Sequence, residues 1–145
     1  MERAEPTASP PPVLVVDAAN VVGSRPDGWW ADRQGATLML RDHLSAMVRE
    51  GLVWPDAGTD SVRVRPEIIL VAEGQARGLD SAGGVRVVDA AGEGDDTIVD
   101  TVRSLLAENP ARPVVVATAD RGLRSRVRAL GAEVMSARDV RHRSP

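Results

Sequence analysis

The stretch Val13-Leu-Val-Val-Asp17 decides the fold of this 145-residue chain, and Val114-Val-Val-Ala-Thr-Ala-Asp120 repeats its pattern later on. Each is an apolar run that leads to an aspartate, which is typical of a parallel strand buried on both faces. Because parallel strands end at one edge of a sheet, we expect Asp17 and Asp120 to meet there. Gathered carboxylates repel each other, so this edge is a candidate divalent-metal site. The alternative is that each aspartate only caps a turn or a helix.

The rest of the chain alternates between strand and helix patterns. Short β-branched runs bounded by Gly, Pro or Asp predict strands at Val13–Val16, Glu67–Ala72, Val85–Val88, Val114–Thr118 and Glu133–Met135. Apolar residues at helical spacing predict helices at Gln34–Glu50, Thr97–Glu108 and Gly122–Leu130. The alternation predicts an α/β fold with a mostly parallel sheet of about five strands and right-handed crossovers. Trp54–Arg65 is predicted to be a polar loop.

Length and composition indicate a single domain. The chain has 145 residues and no cysteine, which suits a reducing compartment and a core that needs no disulfide. We predict a disordered Pro-rich segment over residues 1–12, the folded domain over 13–139 and a basic tail over 140–145. The Pro-rich segment lacks the apolar region of a signal peptide, so we expect a cytoplasmic protein that does not associate with membranes. The sequence gives no indication of the oligomeric state.

Further acids flank the predicted strands and helices. Asp95 and Asp96 stand where a helix N-cap belongs, and one of them is predicted to cap the helix. The helical period directs Asp95 toward the sheet, whereas Asp96 and Asp100 point to the side. Either Asp95 or Asp96 is a candidate metal ligand, and compensation of the helix dipole is the alternative. Glu73 closes a predicted strand and is a further candidate, although a solvated loop position explains it equally well.

Together these motifs resemble the NYN and YacP-like branch of the PIN-like nucleases. The resemblance is carried, in this order, by Val15-Val-Asp17-Ala-Ala-Asn20, Gly94-Asp-Asp-Thr-Ile-Val-Asp100 and Thr118-Ala-Asp120-Arg-Gly-Leu123-Arg. It covers nearly the whole predicted domain. It implies a three-layer α/β/α PIN-like sandwich, a bound Mg²⁺ or Mn²⁺ at the acidic edge, and hydrolysis of RNA phosphodiester bonds.

The resemblance assigns roles to individual residues. It implies that Asp17, Asp96 and Asp120 are catalytic and bind the metal, with Asp95 in place of Asp96 if the register differs by one. Three secondary positions follow, namely Asn20, Asp100 and Glu73. Glu73 stands where relatives often have aspartate, and the segment Gly23–Arg33 matches no general family motif. These departures leave the choice of substrate open.

A local basic face is needed if this chain binds RNA, because its net charge is −3. Every basic residue is arginine, which is a good bidentate partner for phosphate. The candidate RNA contacts are an arginine face on the last predicted helix and a tryptophan-containing loop after the first strand: Arg121, Arg124, Arg128, Arg25, Trp29, Trp30 and Arg33. A solvated charged face and a tryptophan that covers the core are the alternatives.

Other α/β classes lack their required residues here. A response-regulator receiver needs a strand-end lysine, and the chain has no lysine. A haloacid-dehalogenase phosphatase needs Asp-x-Asp, whereas Asp17 is followed by Ala18-Ala19, and the Gly-x-Gly-x-x-Gly of dinucleotide binding is missing. His43 and His142 are predicted to be structural or exposed. The remaining alternative is a catalytically inactive RNA-binding or protein-interaction module of the same fold.

Overall fold

The structure, a computed structural model, describes residues 10–23, 32–54 and 63–140. Most of the predicted Pro-rich segment and basic tail lies outside these ranges, as do Arg25, Trp29 and Trp30. Within the described ranges, no helix has both the length and the apolar character needed to cross a membrane.

A parallel sheet of five strands forms the centre of the molecule. In spatial order its strands are β5 (Val85–Asp89), β4 (Glu67–Ala72), β1 (Val13–Asp17), β6 (Val114–Ala117) and β7 (Glu133–Met135). The central strand β1 pairs with β4 and β6, and its register sets Val16 beside Leu70 and Ala117. The residues that follow these paired positions therefore share one edge of the sheet.

Helices cover both faces of the sheet. They are α1 (Ala18–Gly23), α2 (Arg33–Glu50), α3 (Gly94–Glu108), α4 (Arg121–Leu130) and α5 (Ala137–Val140). One buried cluster joins α1, α2 and α5 to one face, and a second joins α3 and α4 to the other. The result is the three-layer α/β/α arrangement of a PIN-like sandwich, and the predicted fold class is confirmed.

Alternation along β1 divides the core between the two faces. Leu14 and Val16 pack in the cluster with Leu44, whereas Val13 and Val15 pack in the cluster with Ile98. All four β1 side chains are fully buried. Burial of each such side chain stabilises the fold by roughly 1.5–3 kcal/mol, so β1 is strongly fixed in register.

The start of α3 differs from the prediction. The helix begins at Gly94 rather than Thr97, and its N-cap position is Glu93, whose side chain makes no capping hydrogen bond. The expectation that Asp95 or Asp96 caps the helix is therefore wrong, because both lie inside its first turn. The Gly94 N–H is instead bound by a carboxylate from another element, Glu73 at the end of β4.

The predicted polar loop Trp54–Arg65 is wrong at Arg63–Val64, which form a strand, and at Trp54, which is buried. Strand β2 (Leu52–Val53) pairs antiparallel with β3 (Arg63–Val64), and Trp54 is buried. The prediction missed β2 and β3 because two residues carry no usable periodicity. The helices α1 and α5, of six and four residues, were missed because they too are short for a periodic pattern. Residues 55–62 are outside the described part of the chain.

Candidate active site

Asp17 is a buried carboxylate at the end of the central strand. The residue is only 6% exposed. The Thr118 hydroxyl donates to its Oδ2 at 3.0 Å, and the Asn20 N–H donates to its Oδ1 at 3.4 Å. Burial raises the pKa of Asp17 to about 6, although these hydrogen bonds lower it and the charges of Asp95 and Glu73 raise it further. A carboxylate kept in such a position at a cost in desolvation marks a candidate functional site.

Thr118 directly links the motif at the end of β1 to the motif at the end of β6. Its side chain is fully buried, donates to Asp17 and accepts the Asp120 N–H at 3.1 Å. A second link runs from the Ala119 N–H to the Asn20 Oδ1 at 2.8 Å. The end of β1, which carries Asp17, and the loop after β6, which carries Asp120, are thus tied together, as predicted from parallel strands ending at one edge. The predicted secondary residue Asn20 serves this link with its side-chain oxygen.

Glu73 and Asp95 bring two further acids to the same edge. Glu73 follows β4 and accepts the Gly94 N–H, so the first turn of α3 is held against the end of β4. Desolvation raises the pKa of Asp95, and the nearby charges of Asp120, Glu73 and Glu93 raise it further, while Arg126 lowers it. Together with the hydrogen bonds of Thr118, these electrostatic effects place the four acids at one edge of the sheet. Asp17, Glu73, Asp95 and Asp120 are called the acidic rim below.

Asp120 has a capping role as well. Its Oδ1 accepts the Leu123 N–H at 2.9 Å and its backbone oxygen accepts the Arg124 N–H, so it is the N-cap of α4. The capping bond occupies one carboxylate oxygen and fixes the orientation of the side chain. The other oxygen has no hydrogen bond among the described residues and is available to a ligand.

Asp96 and Asp100 lie on the outer surface rather than with the other acids. Asp96 pairs with Arg126 of α4 at 3.1 Å, and Asp100 pairs with Arg103 at 3.0 Å. Both aspartate side chains are 74% exposed. Of the two adjacent acids that the sequence left open, the structure therefore places Asp95 in the rim and Asp96 in an ion pair beside it.

The acidic rim is short of compensating charge. Within the described residues, no arginine forms an ion pair with any of its four carboxylates. No three acidic or histidine side chains in those parts of the chain enclose a metal site in their present positions.

The predicted arginine face of α4 is only partly exposed. Arg121 and Arg128 are exposed, whereas Arg124 is half-buried and its Nε has no hydrogen-bond partner in the described structure. Arg126, which the sequence did not point to, donates to Asp96 at 3.1 Å and lowers the pKa of the rim residue Asp95. Arg33 begins α2 and is exposed.

Thr118 is a residue of the candidate site that the sequence patterns did not single out. The sequence offered one signal, a hydroxyl residue that ends a run of three valines and an alanine two positions before an aspartate. Its double hydrogen bond depends on the pairing of β1 with β6, which becomes visible only once the register is known.

Comparison with solved structures shows the same fold. Rae1 (YacP) from Bacillus subtilis matches with a TM-score of 0.64 and 21% sequence identity, over 88% of this chain and 70% of that chain. A mutant of the same protein matches with a TM-score of 0.63 and 20% identity, over 89% of this chain and 72% of that chain. No family model matches the sequence, and no curated protein does. The chain thus has the fold of YacP, and the resemblance predicted from its three acidic motifs is confirmed at the level of structure.

Proposed function

We propose that this protein is a divalent-metal-dependent ribonuclease that hydrolyses RNA phosphodiester bonds at the acidic rim. The observation that carries the proposal is the buried Asp17 carboxylate at the carboxyl end of the central strand, with the charges of Asp95 and Glu73 acting on it and Asp120 linked to it through Thr118. Ligands of open α/β sheets bind outside the carboxyl ends of the strands. The YacP-like fold supports the same class of function.

The donor set fits a hard cation. The rim offers only carboxylate oxygens, which Mg²⁺ and Mn²⁺ prefer. We propose Asp17, Asp95 and Asp120 as the residues that hold the ion, with Glu73 as a further oxygen donor and Asp96 outside the set. A divalent ion at this place supplies the Lewis acidity and charge neutralisation that phosphodiester hydrolysis requires.

The chain itself orients the carboxylates. Thr118 and the Asn20 N–H hold the two oxygens of Asp17, and the Leu123 N–H holds one oxygen of Asp120. Fixed ligands lower the reorganisation needed on binding, which is how surrounding hydrogen bonds tune a metal site. Burial of Asp17 limits the access of water to its side of the rim.

RNA is the proposed substrate, and the arginines of α4 are its proposed contacts. Asp120 is the N-cap of α4, so Arg121 and Arg124 follow directly after the rim. RNA phosphates that contact these guanidinium groups would be positioned beside the acids, and RNA binding would weaken as the salt concentration rises. The other predicted RNA contacts, Trp29 and Trp30, lie outside the described residues.

The test is a cleavage assay with matched variants. Purified protein with Mn²⁺ is incubated with single-stranded and structured RNA, beside Asp17→Asn and the control Asp42→Asn. Asp42 is an exposed residue of α2 that pairs with Arg41. We expect cleavage by the wild type and by the control, and none by Asp17→Asn. Equal cleavage by all three proteins would show that the activity arises elsewhere.

A second candidate function is an inactive RNA-binding or protein-interaction module. It is favoured by the observation that no three carboxylates in the described residues enclose an ion as they stand. RNA binding that persists in Asp17→Asn, with no cleavage under any divalent ion, would favour this function over the nuclease.

A further inference from the structure

A cavity of about 280 Å³ opens beside the acidic rim, between the sheet edge and α2. Its apolar walls are Ala19, Val22 and Ala76. Glu73 of the rim also lines it, so the cavity adjoins the proposed site of hydrolysis. A ligand that extends from the cavity to the acidic rim would contact both sites.

The polar groups of the cavity are mainly acceptors. Two carboxylates line it, those of Glu73 and Glu93, and the Glu93 side chain does not cap α3. The Thr37 hydroxyl already donates its proton to the Arg33 oxygen at 2.8 Å, which leaves only lone pairs to offer. Arg33 is the one charged donor among the lining residues in the described structure.

We propose that this cavity is a nucleobase subsite, which takes a base next to the scissile phosphate and prefers guanine. The inference rests on the proposed ribonuclease function and names the base that the site selects. Its aliphatic walls, Ala19, Val22 and Ala76, suit the apolar face of a base ring, and single-stranded RNA bases are recognised on their Watson–Crick edges.

Charge and hydrogen bonding select the occupant. The carboxylates of Glu73 and Glu93 outnumber the single guanidinium of Arg33, so the cavity disfavours a phosphate and the sugar-phosphate chain lies outside while the base lies inside. Guanine presents adjacent N1–H and N2–H donors that a carboxylate accepts together, whereas uracil presents two carbonyls and a single N–H. The acceptor-rich lining therefore favours guanine most and uracil least.

Gly92 offers a way to fill the cavity without touching the rim. It lines the cavity, and a Cβ added there meets no atom within 4 Å. Gly92→Leu therefore adds a bulky side chain at the cavity wall without a steric clash and without changing any of the four acids. The matched control is Ala107→Leu, an exposed position near the carboxyl-terminal end of α3.

The first experiment measures binding without metal or cleavage. Guanosine and uridine are titrated in EDTA into wild type, Gly92→Leu and Ala107→Leu, while the methyl resonances of Ala19, Val22 and Ala76 are followed by NMR. We expect guanosine to shift these resonances in the wild type and the control, with about tenfold weaker binding of uridine, and no shifts in Gly92→Leu. Unshifted cavity methyls in the wild type, or equal shifts in Gly92→Leu, would overturn the subsite. Stronger binding of uridine would overturn the preference for guanine.

The second experiment separates this inference from the nuclease proposal. Wild type, Gly92→Leu and Glu93→Gln are compared on RNAs that differ only by replacement of guanine with uracil, with Glu108→Gln as the charge control. We expect the wild type and Glu108→Gln to favour the guanine-containing RNA, and the two cavity variants to lose this preference while still cleaving. A wild type that cleaves nothing contradicts the nuclease, whereas a wild type that cleaves both RNAs equally contradicts only the subsite.

Discussion

Two adjacent residues of α3 end up in opposite electrostatic surroundings. Asp95 belongs to the acidic rim, where desolvation and the charges of three neighbouring acids raise its pKa. Asp96 lies on the outer surface between α3 and α4 and accepts a hydrogen bond from Arg126. Both residues are aspartates, so only the direction in which each side chain leaves the helix decides which carboxylate lies with the other acids. Of the two aspartates, Asp95, which lies among other acids and forms no ion pair in the described structure, is therefore the better candidate for a functional residue than the ion-paired Asp96.

The largest expected effect comes from removing the buried member of the rim. Asp17→Asn is expected to abolish metal-dependent RNA cleavage, because it removes a charged ligand without changing the shape of the side chain. Asp96→Asn, its counterpart on the outer surface, is expected to retain activity close to that of the wild type. Cleavage rates with Mn²⁺ measure both. Loss of activity in Asp96→Asn with activity retained in Asp95→Asn would reverse the comparison.

A second effect is on stability, and it depends on pH. The pKa of Asp17 is 3.8 unfolded and about 6 folded, so the folded state binds its proton more tightly. Stability from this group is therefore lost as pH rises from about 4 to about 6, and the metal-free protein is destabilised by about 3 kcal/mol above that range. In EDTA, Asp17→Asn is expected to raise the free energy of unfolding at pH 8 and to have little effect at pH 4.

Urea unfolding of both proteins at the two pH values measures this difference, with Asp42→Asn as the control for loss of a negative charge. Added Mn²⁺ should narrow the gap at pH 8, because only the wild type gains from binding. A gain in stability that is the same at both pH values would contradict the assignment of the buried charge to Asp17.

A smaller effect is expected from the residue that joins the two strand ends. Thr118→Val keeps the shape but removes the bond to Asp17 and leaves the Asp120 N–H unpaired. We expect a loss of about 1–3 kcal/mol in stability and about 10–100-fold in activity. Thr101→Val is the control, since the Thr101 hydroxyl donates to the Thr97 oxygen on α3. Equal activity in the two variants would show that Thr118 does not position the rim.

The smallest effect is expected on the outer surface. Arg126→Gln breaks the ion pair with Asp96, whose side chains are 48% and 74% exposed. Exposed pairs contribute about 0–1 kcal/mol, so thermal unfolding should change little. The pair lies beside the rim, and a large loss of stability would show that the two regions are coupled.

The sequence predicted the elements that carry long apolar patterns. Strand β4 and β7 have the predicted bounds, and α2 and α4 each begin one residue earlier than predicted. These patterns record burial against the sheet, which is a property of the segment itself. Because parallel strands end at the same edge of a sheet, the sequence could also place Asp17 and Asp120 near each other.

The contacts between elements could not be predicted in this way. The bond from Gly94 to Glu73 and the bonds of Thr118 depend on which strands are neighbours and in what register. The wrong N-cap for α3 has this origin, since a carboxylate distant in sequence binds the first N–H of that helix. Extension of the helical period did direct Asp95 toward the sheet, but the ion pair of Asp96 required the position of α4.

The most direct test of the account is a crystal of the protein soaked with Mn²⁺ and measured at the manganese absorption edge. The account predicts an anomalous peak bounded by the carboxylates of Asp17, Asp95 and Asp120. A fully occupied manganese site elsewhere on the protein, or a soaked rim without any peak, would contradict it.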